Sequence, residues 1–346
     1  MLQRTVQATV LFSLLLLLLY WGKSLLMPFS FSLLLTFLLL PVSERLQRWR
    51  IPKVVAILLS IFLALALLLL LVYVIYLQML SFATDIPANW IRLSDKINVI
   101  HVFIVDHFNV SKREQVNWLG TKSKDYADAL GSLLLSVFSA TGEFLTMLTL
   151  IPIYVFFLTL YKDKVKMFVR MVFAEANPNA KMELIGKVVK VSQKYLKGIL
   201  LDILILSILN SVGFLLLDLE HAWLFGILAA VLNIIPYIGV MIGSILPIVM
   251  ALITKDSLGY AIGVAAVCTF VQVLDNNIIS PYVIGTSVSV NSLTAMIALV
   301  LSALIWGIPG MILALPLTGM LKVLCDHIPT LKPYGFLIGD ELKPLN

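Results

Sequence analysis

Two carboxylic acids lie in stretches of this chain that are otherwise almost free of charge. Asp202 sits four residues after Gly198 opens an apolar run, and Asp275 closes another. An ionisable group at membrane depth is expensive, so each is a candidate for transport chemistry. Asp275 stands in Gln272-Val-Leu-Asp275-Asn276-Asn277. That cluster offers oxygen ligands for a small cation, hydrogen bonds for a polar solute and a carboxylate that can exchange a proton. Asn210, near the middle of its run, adds an amide that serves either a ligand or a neighbouring helix. Both acids are expected near the inner face of the membrane, where the plain alternative is a carboxylate reaching toward water.

Other chemistries find no support in the spacing. No GxxxxGK[ST] occurs, and Gly186-Lys187 lacks the upstream glycine, so nucleotide hydrolysis is not expected. Neither HExxH nor GxSxG is present, and His101, His107, His221 and His327 fall at loops or interfaces. His101 and His107 beside Asp106 do not share a helix face, which argues against a metal site. Cys268 and Cys325 lie in apolar surroundings without a CxxC pairing. The expectation is a protein that is not an enzyme and carries no cofactor or metal, with any pumping driven by a gradient.

The elements that hold these residues are set by composition. Of 346 residues, 60% are hydrophobic and 13% charged, with a mean hydropathy of +1.02; soluble domains average about 45–50% and about 25%. So few charges cannot cover a water-soluble globule, which leaves an integral, all-α, polytopic membrane protein. Residues 1–84 hold three spans. The runs Thr5–Gly22 and Ser24–Ser43 are expected to form an uncleaved helical hairpin, since no small-x-small cleavage site follows the first. Val54–Thr84 would be about 46 Å long as a helix, so its far end stands out of the bilayer. Residues 85–128 form an extracytoplasmic insert with six basic and six acidic side chains, and 129–161 a fourth span that places Glu143 near an interface.

A basic cytoplasmic loop, 162–197, carries nine Lys or Arg against Asp163, Glu175 and Glu183. Arg45, Arg48, Arg50 and Lys53 stand against Glu44 alone. The positive-inside rule puts both on the cytoplasmic side, with both termini. Lys187, Lys190, Lys194 and Lys197 recur at helical spacing beside a stripe of Leu184, Val188, Val191 and Tyr195. This pattern describes an interfacial helix meeting anionic lipid, rather than a nucleic-acid binder.

Residues 198–325 read as the transport core, with a cytoplasmic tail at 326–346. After the span Gly198–Leu217, the apolar stretch 222–254 is too long for one straight span and is broken at Asn233-Ile-Ile-Pro236-Tyr237-Ile-Gly239. A second span, 257–274, and a linker lead to another over-long stretch, 291–321, broken at Trp306-Gly307-Ile-Pro309-Gly310. Two oppositely oriented units, each a span plus a Pro/Gly-broken re-entrant hairpin, make an inverted repeat that points to a secondary-transport site with both tips near mid-membrane. Kinked spanning helices are the plain alternative.

The two broken motifs and a third, Gln272-Val-Leu-Asp275-Asn276-Asn277 continuing to Pro281-Tyr-Val-Ile-Gly285, resemble the autoinducer-2 exporter family, also called PerM-like permeases. The resemblance covers most of the chain, strongly from Lys187 to Lys322 and weakly over the insert. It implies a bacterial inner-membrane secondary transporter, a homo-oligomer with a pentamer as the family expectation, and an elevator-like movement. It also implies export of the quorum-sensing signal autoinducer-2 or, as an alternative, exchange of sodium or lithium for protons. A passive oligomeric channel and a membrane scaffold are the remaining readings. Asp275 would be the coupling carboxylate, Gln272, Asn276 and Asn277 would hold solute, and the turns around Pro236 and Pro309 would line the path.

Overall fold

The computed structural model describes residues 17–88, 141–172, 178–236, 238–285 and 290–340, together with Val6, Val10, Ser13 and Leu14. Nearly all of the expected insert, with His101 and His107, lies outside the described residues, as do Tyr237 and the last six residues of the tail. Ten helices are used below: α1 (Lys23–Arg48), α2 (Lys53–Ala88), α3 (Thr141–Leu160), α4 (Lys162–Val172), α5 (Pro178–Leu216), α6 (Ala222–Leu232), α7 (Ile238–Thr254), α8 (Leu258–Leu274), α9 (Ser292–His327) and α10 (Lys332–Ile338). Among the described residues, five helices are long and apolar enough to cross a membrane. Their outward side chains, such as Phe62, Leu67 and Leu304, are widely exposed, as a lipid-facing surface requires.

Two pairs of helical segments double back. Asp218 precedes α6 and Lys255 follows α7, yet Lys255 Nζ lies 2.7 Å from Asp218 Oδ2. The chain therefore leaves and returns at one end, reversing around Asn233–Pro236. A straight helix would separate Asn291 from Lys322 by about 46 Å. Instead both flank Gly339: Asn291 Nδ2 donates to the Gly339 carbonyl at 3.0 Å, and a methyl on Gly339 would sit 2.8 Å from Lys322 Cε. The fold in α9 falls at Gly307, whose φ of 64° and ψ of −144° are open essentially to glycine alone. The two doubled segments open toward opposite ends of α5. Asp218 lies just past its C-terminus, whereas His327, at the end of α9, meets Lys187 near its N-terminus at 3.2 Å.

Lipid is as apolar as leucine, so close fit rather than water exclusion holds such helices together. Small residues at the contacts show this. A side chain on Gly226 would run into the backbone of Ser211, and one on Gly243 would come 2.9 Å from Ala229 Cα. These glycines let α6 lie against α5 and α7 against α6. Around them Phe214, Phe225, Met250 and Val264 are fully buried, joining α5, α6, α7 and α8.

The two basic segments share one side. Lys162 Nζ is 2.6 Å from Glu44 Oε1 and Lys53 Nζ is 3.6 Å from Asp163 Oδ2, bringing the α1–α2 and α3–α4 junctions together.

Two local expectations are corrected. Backbone bonds from Gly22 to the Leu18 carbonyl and from Leu26 to the Gly22 carbonyl carry the helical ladder past Gly22. With φ −80° and ψ 7° there, the chain bends and does not reverse, so the expected N-terminal hairpin gives way to a bent helix. The basic helix is likewise not a separate interfacial element, because α5 runs unbroken for 39 residues through Lys187–Lys197 into the apolar run. No proline lies there, and the helix runs on through Gly186 and Gly198 on either side.

Candidate functional site

Asp275 ends α8 and is only 2% exposed. Its position depends on the backbone that follows. Pro281 has no N–H, and its ring would strike the carbonyl four residues back in a regular helix. The chain widens instead, with the Ser280 N–H bonding the Asp275 carbonyl five residues earlier. The wide turn carries Ser280 under the acid, where its hydroxyl donates to Asp275 Oδ1 at 2.9 Å.

The other carboxylate oxygen receives the first doubled segment. Asn233, at the end of α6, donates from Nδ2 to Asp275 Oδ2 at 2.9 Å, and Gln272 Nε2 donates to the same oxygen at 3.4 Å.

A second buried acid, Asp202, lies nearby on α5. Gly198 of α5 lies against the Val283 backbone, where a side chain would come 2.6 Å from the carbonyl oxygen. One helical turn later, on the same face, Asp202 stands beside Asp275, close enough for the two charges to interact. Asp202 is 6% exposed, and its Oδ1 has no partner among the described residues. Two carboxyls buried side by side resist both being ionised, because like charges out of water repel strongly. The pair is therefore a place where one proton can be held and released.

A cavity of about 30 Å³ adjoins this cluster, with Asn210, Asn233, Ser244, Cys268 and Gln272 in its wall. On that measure a water needs about 10–15 Å³, so the space takes a water or two, or a small cation.

The residues predicted from sequence do not all converge. Gln272, Asp275 and Asn233 meet, and Asn276 joins indirectly by accepting from Gln272 Nε2 at 3.1 Å. Asn277 turns away, donating to its own helix at Val273. Asn210 borders the cavity while donating to the Leu206 carbonyl, 2.9 Å away. Pro236 and Gly239 shape the first reversal, where a side chain on Gly239 would collide with the Leu232 carbonyl. Pro281 and Gly285 lie in the widened segment. Gly307, Pro309 and Gly310 form the second reversal, where the Trp306 indole donates to the Leu19 carbonyl at 2.9 Å. That turn is anchored to the N-terminal helix and gives no hydrogen bond to the acid pair among the described residues. Lys187, Lys190, Lys194 and Lys197 are exposed, while Leu184 and Tyr195 of the adjoining stripe are buried. Ser280 was not foreseen; Pro281 was its signal, because only a widened turn stacks residues five apart.

A helical membrane protein with paired carboxyls and amides buried between broken helices is built as a transporter is built. The chain belongs to the AI-2E family transporter family, whose model matches residues 10–330. It is a multi-pass membrane protein of a transporter family. It is similar to YrrI of Bacillus subtilis (strain 168), 24% identical over 322 residues that cover 88% of this chain and 87% of YrrI. It is also similar to AI-2 transport protein TqsA of Escherichia coli (strain K12), 22% identical over 327 residues, covering 93% and 92% of the two chains.

Proposed function

We propose that the chain is a proton-coupled secondary transporter of the bacterial inner membrane that exports a small polar solute of the autoinducer-2 kind. The observation that carries this reading is the buried Asp275 carboxylate held by Asn233, Gln272 and Ser280, with the buried carboxyl of Asp202 nearby. With Asp275 ionised, its oxygens accept from Asn233, Gln272 and Ser280 and hold the first reversal down. Taking up a proton removes one acceptor position and loosens Asn233. The amides thus freed can hold solute hydroxyls. Release of the proton on the other side restores the hold, which links proton movement to the position of α6–α7.

The arms of the doubled segments support re-entrant hairpins in an inverted repeat. As helices, α6 and α7 measure about 17 and 26 Å, and a hydrocarbon core is about 30 Å thick. The shared side of the two basic segments is read as cytoplasmic, and the contact of His327 with Lys187 supports reading the start of the tail on the same side. A homo-oligomer, with five copies as the family expectation, and an elevator-like movement complete the proposal.

A second reading, exchange of sodium or lithium for protons, is favoured by the size of the cavity, which suits a small cation better than an organic solute. Vesicles loaded with autoinducer-2 under an imposed pH gradient separate the two. Solute efflux that needs the gradient supports the first reading; sodium-driven proton movement without solute efflux supports the second. Efflux that ignores the gradient, with no cation-driven proton movement, rejects both.

A further inference from the structure

A second cavity, of about 200 Å³, opens between α1, α3, α4 and α5. Its wall is almost wholly hydrocarbon, with Leu33, Phe37, Leu158 and Val189 among its side chains. An apolar cavity of about 150 Å³ stays dry and takes up hydrocarbon such as benzene. This one is larger and stands at the edge of the apolar zone, where Lys162 meets Glu44.

Two polar groups on its wall lack what burial demands. Thr36 is 5% exposed and its Oγ1 has no hydrogen-bond partner among the described residues. Lys166, half-buried on α4, has no ion-pair partner among the described residues, whereas Lys162 beside it is paired. A hydrocarbon slot with an unpaired hydroxyl in its wall and cations at its rim matches a lipid chain below an anionic headgroup.

We propose that this cavity is a binding site for an anionic phospholipid. One acyl chain occupies the slot, Lys166 and Lys162 hold the phosphate, and the Thr36 hydroxyl donates to a lipid oxygen. The site is separate from the acid pair and from the exposed lysine row of α5.

The test uses the full-length protein in detergent, stripped of lipid and titrated with phosphatidylglycerol or phosphatidylcholine of matched chains, with bound lipid counted by native mass spectrometry. Phosphatidylglycerol is expected to be retained in preference, and Lys166→Gln to weaken that retention by about fivefold, as loss of one cation near a lipid surface predicts. Val189→Phe, which fills the slot, should release lipid of either headgroup. Thr36→Val keeps the shape and serves if Lys166→Gln does not fold; it should also weaken retention. Equal retention of the two lipids, or unchanged retention in these variants, overturns the proposal. So does competition by glycerol phosphate as strong as that of the whole lipid, which would mark an anion site without a chain. Loss of oligomer in Val189→Phe, with no lipid bound by the unaltered protein, would assign the cavity to a second copy of the chain and also overturn it.

Discussion

Asn233 Nδ2 donates to Asp275 Oδ2 at 2.9 Å, tying the reversal between α6 and α7 to the buried acid at the end of α8. Through this bond the charge on one side chain bears on the position of a whole pair of helices. Asn233→Leu keeps the bulk and removes the donor. A hydrogen bond to a charged group contributes about 1.5–3 kcal/mol, so solute affinity in vesicle binding assays should fall by a corresponding factor of about 10–100, with the protein still folded. Unchanged affinity and transport would detach the reversal from the acid.

In the proposed mechanism Asp202 is the second carboxyl of the proton site. Asp202→Asn leaves a hydrogen-bonding partner of the same shape but cannot give up a proton. Transport should persist at a reduced rate while its dependence on pH flattens, measured as initial rates across a pH series. A pH profile of unaltered shape would assign the proton to Asp275 alone.

Close backbone contact at Gly226 leaves no room for a side chain against Ser211. Gly226→Val should destabilise the protein by about 1–3 kcal/mol or more, since the opposing atoms are backbone and cannot swing away. Thermal unfolding in detergent reads this as a lowered Tm. Gly307→Ala should cost about 1–3 kcal/mol for a different reason, because the φ and ψ of that fold are strained for any residue with a Cβ.

At the open end of the first doubled segment, Lys255 donates a hydrogen bond to Asp218 and sits beside it as a cation, holding that carboxyl below its usual range. A depressed native pKa means that the contribution is complete above the ordinary value of about 3.9 and fades as pH falls through the native one. Lys255→Gln should therefore lower Tm slightly at neutral pH and leave it unchanged in acid below that value. The effect is small because Asp218 is fully exposed.

Much of this was legible in the sequence, for physical reasons. The gaps between charges marked the long helices, and Pro236 and Gly307 marked both reversals, because each denies the chain a regular helix. Asp275 stood out as an acid among amides. So did Asp202, as an acid in an apolar run, but nothing local said that the two are neighbours: they lie 73 residues apart, and the close approach allowed by Gly198 brings them alongside. Ser280 and Asn277 were hidden by the widened turn, which rotates one under Asp275 and the other away. The bend at Gly22 was missed because two apolar runs parted by Gly22-Lys23 read equally well as a hairpin.

The central claim is that the acid pair couples proton movement to solute or cation movement. Purified protein in vesicles with an acidic interior and an internal pH dye tests it directly, with autoinducer-2, sodium, lithium and potassium supplied in turn. The account predicts that at least one of autoinducer-2, sodium or lithium dissipates the gradient, that potassium does not, and that Asp275→Asn abolishes the response. A response of equal size in Asp275→Asn, or a gradient untouched by every solute, would contradict it.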